Sequence, residues 1–264
     1  MKLKYLFSHP WWKTTLLVLV GVGVLIRLGI WQLDRLEQRR EFNLRVETQL
    51  GRQPVTLENI TNPDDLTDME YRSITVMGEY DHTHQVALRN QVWNNILGVH
   101  LLTPLKVEGT DYTVLVNRGW IPMEDFTTGD WSKFNEPGLV EVTGIIRNSQ
   151  TQSEIGRISD PVPTSDSQPI TAWNLANLES IERQMPYLIL PVYIQQAPDH
   201  NWISLPYRSL PDIDLTEGSH FGYAIQWFTF ATILGFGYPI YLSREIAKSK
   251  STHNAEMIKV EAKN

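Results

Sequence analysis

The sequence predicts an α+β membrane protein in which two transmembrane helices flank a mainly antiparallel-β extracytoplasmic domain with a minor helix. Two observations carry this reading. Apolar segments lie near both ends of the 264-residue chain, at 11–33 and 219–242. At about 1.5 Å per helical residue, each is long enough to cross a hydrocarbon core of about 30 Å. The residues between them, 34–218, are polar and fall into short apolar runs separated by turn residues, the pattern of strands rather than of membrane helices.

Residues 1–10 form a short basic tail, read as cytoplasmic. Lys2, Lys4 and Lys13 followed by Thr14 to Ile26 have the charge and apolarity of a secretory signal, but no Ala-x-Ala site follows. The apolar pattern runs on through Leu28, Ile30, Trp31 and Leu33, which favours an uncleaved anchor. Good helix formers from Leu36 to Glu41, with no Gly or Pro before Gly51, extend the helix beyond the span. Residues 51–68 read as loop. Strand-like runs follow at Tyr71–Tyr80, Gln85–Arg89, His100–Val107, Tyr112–Val116 and Leu139–Ile146, with turns at Glu108-Gly109 and Pro137-Gly138. Residues 148–169, rich in Ser, Thr, Gln and Pro, read as an exposed loop. Asn174 is placed to cap a helix through Arg183, because Leu175, Leu178 and Ile181 share a face. Tyr187–Gln195 reads as the last strand and 198–218 as an extended return to the membrane. After the second span, 219–242, the tail 243–264 carries Arg244, Lys248, Lys250 and Lys259. That basic tail places the C-terminus in the cytoplasm. Two spans put both ends on one side and the domain on the other, in a bacterial-type plasma membrane.

The charge is partitioned. Residues 48–218 hold 10 Lys and Arg against 23 Asp and Glu, a balance of −13; the remainder holds 13 against 7, a balance of +6, giving the net −7. So acidic a domain repels phosphate backbones, which argues against nucleic acid as a partner. The chain has no cysteine, which excludes disulfides, thiolate metal sites and a catalytic thiol. No Gly-x-Ser-x-Gly elbow, phosphate-binding glycine loop or His-Glu-x-x-His motif occurs, so no enzymatic role is expected.

A few residues stand out. His82 and His84, two apart on an expected strand, would share a face and suggest a metal, though without a third ligand nearby they also read as turn histidines. Arg27 lies inside the first apolar segment, where it can snorkel to headgroups or face an anionic partner. His220 opens the second span. With Tyr223, Ala224, Trp227, Ala231, Leu234 and Tyr238 it makes one helical stripe. It admits two readings: an axial haem ligand beside an aromatic groove, or an interfacial histidine in a stripe whose small residues pack on the other helix.

Three motifs in order carry a family resemblance. Gly29-Ile30-Trp31-Gln32-Leu33-Asp34-Arg35-Leu36 ends the first span, Asn117-Arg118-Gly119-Trp120-Ile121-Pro122 lies mid-domain, and His220-Phe221-Gly222-Tyr223-Ala224-Ile225-Gln226-Trp227-Phe228 opens the second span. With Gly98 to Leu105, these resemble the signatures of the Surfeit locus protein 1 family, the Shy-type assembly factors of cytochrome c oxidase. Glu217-Gly218-Ser219 and Arg39 depart from its usual residues. The resemblance implies a non-enzymatic assembly factor for haem–copper oxidase that transiently binds haem a and delivers it to the catalytic subunit, with haem a synthase as a further partner. It implies His220 as the iron ligand and a cofactor site of His220, Tyr223, Trp227, Trp31, Gln32, Arg35 and Arg118. The alternative is a haem-free membrane chaperone that stabilises an oxidase subunit. Trp120 is expected in the β core.

Overall fold

The computed structural model describes residues 11–57, 60, 62–151, 160, 161, 163, 168–199 and 201–261. The expected N-terminal tail and much of the 148–169 loop lie outside the described residues. The chain divides into two compact units, Met1–Leu44 with Leu215–Asn264, and Arg45–Asp214.

The first unit is an antiparallel pair of long helices, α1 (Trp12–Leu50, whose last turns belong to the second unit) and α4 (His220–Glu261). Thr15 meets Tyr238 through their hydroxyls at 2.7 Å, and Gly21 faces Leu234. Small residues set the approach. A Cβ on Gly29 would come within 2.7 Å of the Phe228 ring, and Ala224 and Ala231 are buried. The outward faces are apolar and exposed, with Leu16, Leu17, Val20 and Val24 on α1 and Phe221, Phe230, Ile233 and Phe236 on α4. Among the described residues one helix, α1, is long and apolar enough to cross a membrane. α4 is diluted by Gln226, Pro239 and its tyrosines. Its Thr229 and Thr232 hydroxyls donate back to the Ile225 and Phe228 carbonyls, which satisfies them within an apolar stretch. α4 also runs on past 242, so the expected tail is helical as far as Glu261.

The second unit is rich in sheet. Its strands are β1 (Val55–Thr56), β2 (Ser73–Tyr80), β3 (Val86–Trp93), β4 (Ile96–Val107), β5 (Thr113–Pro122), β6 (Leu139–Asn148), β7 (Ala172–Trp173) and β8 (Val192–Gln196), with short helices α2 (Met123–Thr127) and α3 (Leu178–Glu182). Antiparallel pairing links β2 to β4, β4 to β5, β8 to β6 and β6 back to β2, while β5 and β8 run parallel. Five strands therefore close into a ring, β2-β4-β5-β8-β6. This is the Greek-key barrel order of the OB-fold, here with β3, β7 and β1 added outside. β4 is long because one edge serves two neighbours, first β3 and then β2. The β3–β4 hairpin turns on Asn94 and Asn95, both at positive φ, as a two-residue turn requires.

The sequence reading finds six of these eight strands: it takes β1 for loop, passes over β7, shortens β3, β4, β5 and β6 and begins β8 five residues early. It also misses the hairpin and the parallel β5–β8 pair. Its helix from Asn174 begins later: Asn177 is the cap, its side chain accepting from the Ser180 N–H. Asn174 is held instead by Asp160. Alternation sorts the core. Ile74, Val76, Leu105, Val114, Val116, Val142 and Ile194 fill one cluster, while Leu88, Leu102, Leu115, Trp173 and Ile181 fill another beneath α3. Every residue from Thr113 to Ile121 is buried, because β5 is covered on both faces.

Gly119 sits at φ +120°, and a Cβ there would lie 2.5 Å from the Tyr207 carbonyl oxygen. Left-handed strain and overpacking together cost about 2–4 kcal/mol. Gly119→Ala is therefore expected to lower the urea midpoint of the detergent-solubilised protein by a corresponding amount, read from tryptophan fluorescence; an unchanged midpoint would contradict this packing.

Candidate functional site

The two boundary motifs of the helical unit meet. Gln32 near the end of the apolar stretch of α1 and His220 at the start of α4 are joined by a 2.8 Å hydrogen bond. With Gln32 Oε1 as the acceptor, the proton sits on His220 Nδ1, and Nε2 is left with its lone pair. This tautomer is the one an imidazole needs to ligate a metal, with an oriented partner on its other nitrogen. His220 is half-buried.

The segment entering α4 is fastened to α1 by side chains about two to three turns past Gln32. Arg39 Nε donates to the Thr216 carbonyl at 3.0 Å, Asn43 donates to the Leu215 carbonyl, and Arg40 forms a two-point ion pair with Glu217 at 2.8 and 3.0 Å. The hydrogen bond from Arg40 holds the Glu217 carboxyl below its usual range, and the same bond raises Arg40. Both departures from the family's usual residues, Arg39 and the stretch beginning at Glu217, belong to this clamp.

Other sequence-derived candidates gather nearby. Trp31 is 46% and Tyr223 47% exposed, and Trp227 is half-buried in an edge contact with Phe230. Arg35 is exposed and donates to Gln38, while Arg27 lies 4.0 Å from Asp34. Of the small residues in the stripe, Ala224 is 1% and Ala231 6% exposed.

Arg118 lies apart from these, within the barrel unit. Its side chain is fully buried, its guanidinium bonded to Glu136 at 2.7 Å and to the Phe134 carbonyl, and stacked over the Tyr80 ring at 4.8 Å. Arg208 shares the same carboxylate at 3.1 Å. Arg118 Nη1 has no partner among the described residues but is buried as well, so a propionate would have to enter the core to reach it. Burial pushes the Tyr80 hydroxyl pKa well up. Trp120 is in the core, stacked on Tyr207 with its Nε1 donating to the Gln91 carbonyl. His82 and His84 lie on a single 3-10 turn rather than a strand. His82 reaches the Glu136 backbone, and His84 Nδ1 pairs with Asp81 at 2.8 Å. Among the described residues no group of three metal-binding side chains forms.

Sequence reasoning missed one arrangement. Asn117, first residue of the mid-domain motif, accepts from the Gly119 N–H through Oδ1, so its Nδ2 donates to His100 Nδ1 at 2.9 Å. Neutral His100 therefore carries its proton on Nε2. His100 lines an open polar cleft of about 390 Å³ on the barrel unit. Both residues stand within the stretches quoted for the family resemblance, but their contact depends on strand register.

The SURF1 family model matches residues 19–232. The chain is 25% identical over 218 residues to a SURF1-like protein of Monosiga brevicollis, covering 78% of each. It is 26% identical to Surfeit locus protein 1 of Xenopus tropicalis, covering 55% of this chain and 52% of the relative. Over 97 residues it is 33% identical to the cytochrome oxidase assembly protein SHY1 of Saccharomyces cerevisiae, covering 37% of this chain and 25% of the relative.

Burial pushes the His100 pKa down from 6.5 to about 4. The unfolded chain therefore binds a proton that the folded chain refuses between those values. The folded state keeps its full advantage above 6.5 and loses it as pH falls toward about 4, at up to about 1.4 kcal/mol per pH unit. His82, also lowered by burial, adds in the same direction. Urea midpoints should fall across this window, and more shallowly in His100→Gln; equal slopes would remove His100 as the cause.

Proposed function

The chain belongs to the SURF1 family, and from that membership we propose that it is an assembly factor for cytochrome oxidase, the role printed in the name of its yeast relative. Both helices cross the membrane in this reading, with both tails on the cytoplasmic side of the plasma membrane and the barrel unit outside. Support comes from the exposed apolar faces of α1 and α4, which are larger than a soluble surface tolerates.

Its cargo is haem a, and the observation that carries this is the His220–Gln32 hydrogen bond. Haem iron accepts imidazole as an axial ligand, and a single such ligand leaves the iron exchangeable. His220 supplies Nε2, Gln32 fixes the ring, and the Arg40–Glu217 clamp holds the backbone leading into it. Trp31 and Tyr223 offer exposed aromatic surface for a macrocycle lying against the outside of the helix pair. Arg35 is exposed and available to a propionate, while Arg118 keeps its own carboxylate and serves the core. The receiving partner is the catalytic oxidase subunit, with haem a synthase as the donor. The tight packing at Ala224 and Gly29 favours a second reading, in which the helix pair holds an oxidase subunit without haem.

Co-expression with haem a synthase and purification in mild detergent should give protein with a haem a spectrum. His220→Ala should abolish that spectrum, and Gln32→Leu should weaken haem affinity by about ten- to a hundredfold. Full haem retention by His220→Ala would end the ligand assignment. Haem-free wild-type protein that co-purifies with an oxidase subunit would establish the second reading instead.

A further inference from the structure

We propose that the polar cleft beside His100 is a second binding site, taking an extended, uncharged stretch of polypeptide. It is independent of the haem reading, because it lies in the barrel unit and uses none of the residues around His220.

The lining carries the chemistry. Six carboxamides face this cleft: Asn90, Gln91, Asn117, Gln150, Asn174 and Gln195. A carboxamide presents a donor and an acceptor in one plane, as a peptide group does. Most are fixed by internal bonds. Asn117 donates to His100, Asn90 to Asn174 Oδ1, Gln91 to the Arg89 carbonyl and Gln195 to the Ser209 carbonyl. Gln150 accepts from the Ala176 N–H through Oε1, which leaves its NH2 to the cleft. His100 adds an Nε2–H, and its neutrality makes it a donor to a carbonyl rather than a counter-charge.

Charge and shape narrow the ligand. The guanidinium of Arg147 is shared with Glu70 at 3.4 Å, and Asp212 stands on the lining, so no net positive charge is offered to a phosphate or carboxylate. The aromatic ring in the lining, Tyr193, is 3% exposed and gives no face on which a sugar or base would stack.

The domain already holds polypeptide in this manner at the cleft's own wall. Trp120 exchanges two main-chain hydrogen bonds with Tyr207, at 2.9 and 2.8 Å, and two residues on Gln195 binds the Ser209 carbonyl at 2.7 Å. Ladder pairing and carboxamide-to-carbonyl bonding thus fasten an extended segment that then lines the cleft through Ser209 to Asp212. On the opposite side the β3–β4 ladder breaks between Leu88 and Gln91, with Asn90 at φ +61°. Bulges of this kind re-aim side chains beside binding sites.

The test selects phage-displayed random short peptides on the full-length protein in lipid nanodiscs, without haem. Enriched peptides are synthesised, and their affinities measured by fluorescence anisotropy for wild type, Gln150→Leu and His100→Phe. Each variant removes one donor and should weaken binding about tenfold. Gln150→Leu also takes the acceptor from the buried Ala176 N–H and should lower the melting temperature by a few degrees; it stays folded and so decides the matter if His100→Phe does not. Three results would overturn the proposal: no enrichment over empty nanodiscs, peptides that bind Gln150→Leu as tightly as wild type, or displacement of the peptides by maltotriose or inorganic phosphate.

Discussion

Three cross-strand pairs, Gly78 with Val107, Glu79 with Lys106 and Tyr80 with Leu105, turn an open sheet into a ring. Most of the barrel unit follows from them. Closure removes two long edges that would otherwise present unpaired backbone groups. It encloses the cluster of Ile74, Val76, Val114, Val116 and Ile194. It also forces β4 to turn from β3 to β2 along one edge, and places Tyr80 where its ring lies over the Arg118 guanidinium.

Closure gives a meaning to the irregularities in the ladders. Between Leu101 and Leu102 the register of β4 against β5 slips by one, and Arg118 is the extra residue. Without the slip, Asn117 would not stand opposite Leu102, on the face of His100. With it, Arg118 turns into the interior and meets Glu136, which Arg208 also engages. A buried guanidinium without a carboxylate is costly. The mid-domain motif is therefore a folding device first, with one member, Asn117, left to orient an imidazole toward solvent.

Six of the strands, the two long helices and the family could be read from the residues, because each is encoded locally, by alternation, by long apolar runs and by motifs; the two-residue β1 and β7 are too short to alternate. Of the Gln32–His220 contact the sequence shows only that one motif ends the first apolar segment and the other opens the second; the atoms that touch depend on helix packing at Gly29 and Ala224. What was hidden depends on pairing between distant residues. The parallel β5–β8 ladder, the ring and the His100–Asn117 contact have no local signature. Arg118 illustrates the limit: an arginine in a polar motif looks like a ligand-binding group until register buries it. The Asn94-Asn95 turn was legible in principle, since paired asparagines at a hairpin tip tolerate positive φ.

The ring also imposes an order of events on synthesis. Leu115 on β5 pairs with Tyr193 on β8, 78 positions later, and β8 is the last strand. Until the ribosome has passed that point, β5 has a vacant flank and the ring has a gap. Contacts of such long span form late and slowly. An incomplete chain would meanwhile carry α1 and a half-made sheet with exposed Val and Ile, a species inclined to aggregate. The second apolar helix begins only 24 residues after β8 ends. The ring is thus complete only as that helix is being made, and the exposed interval is the synthesis of the 78 positions that separate Leu115 from Tyr193.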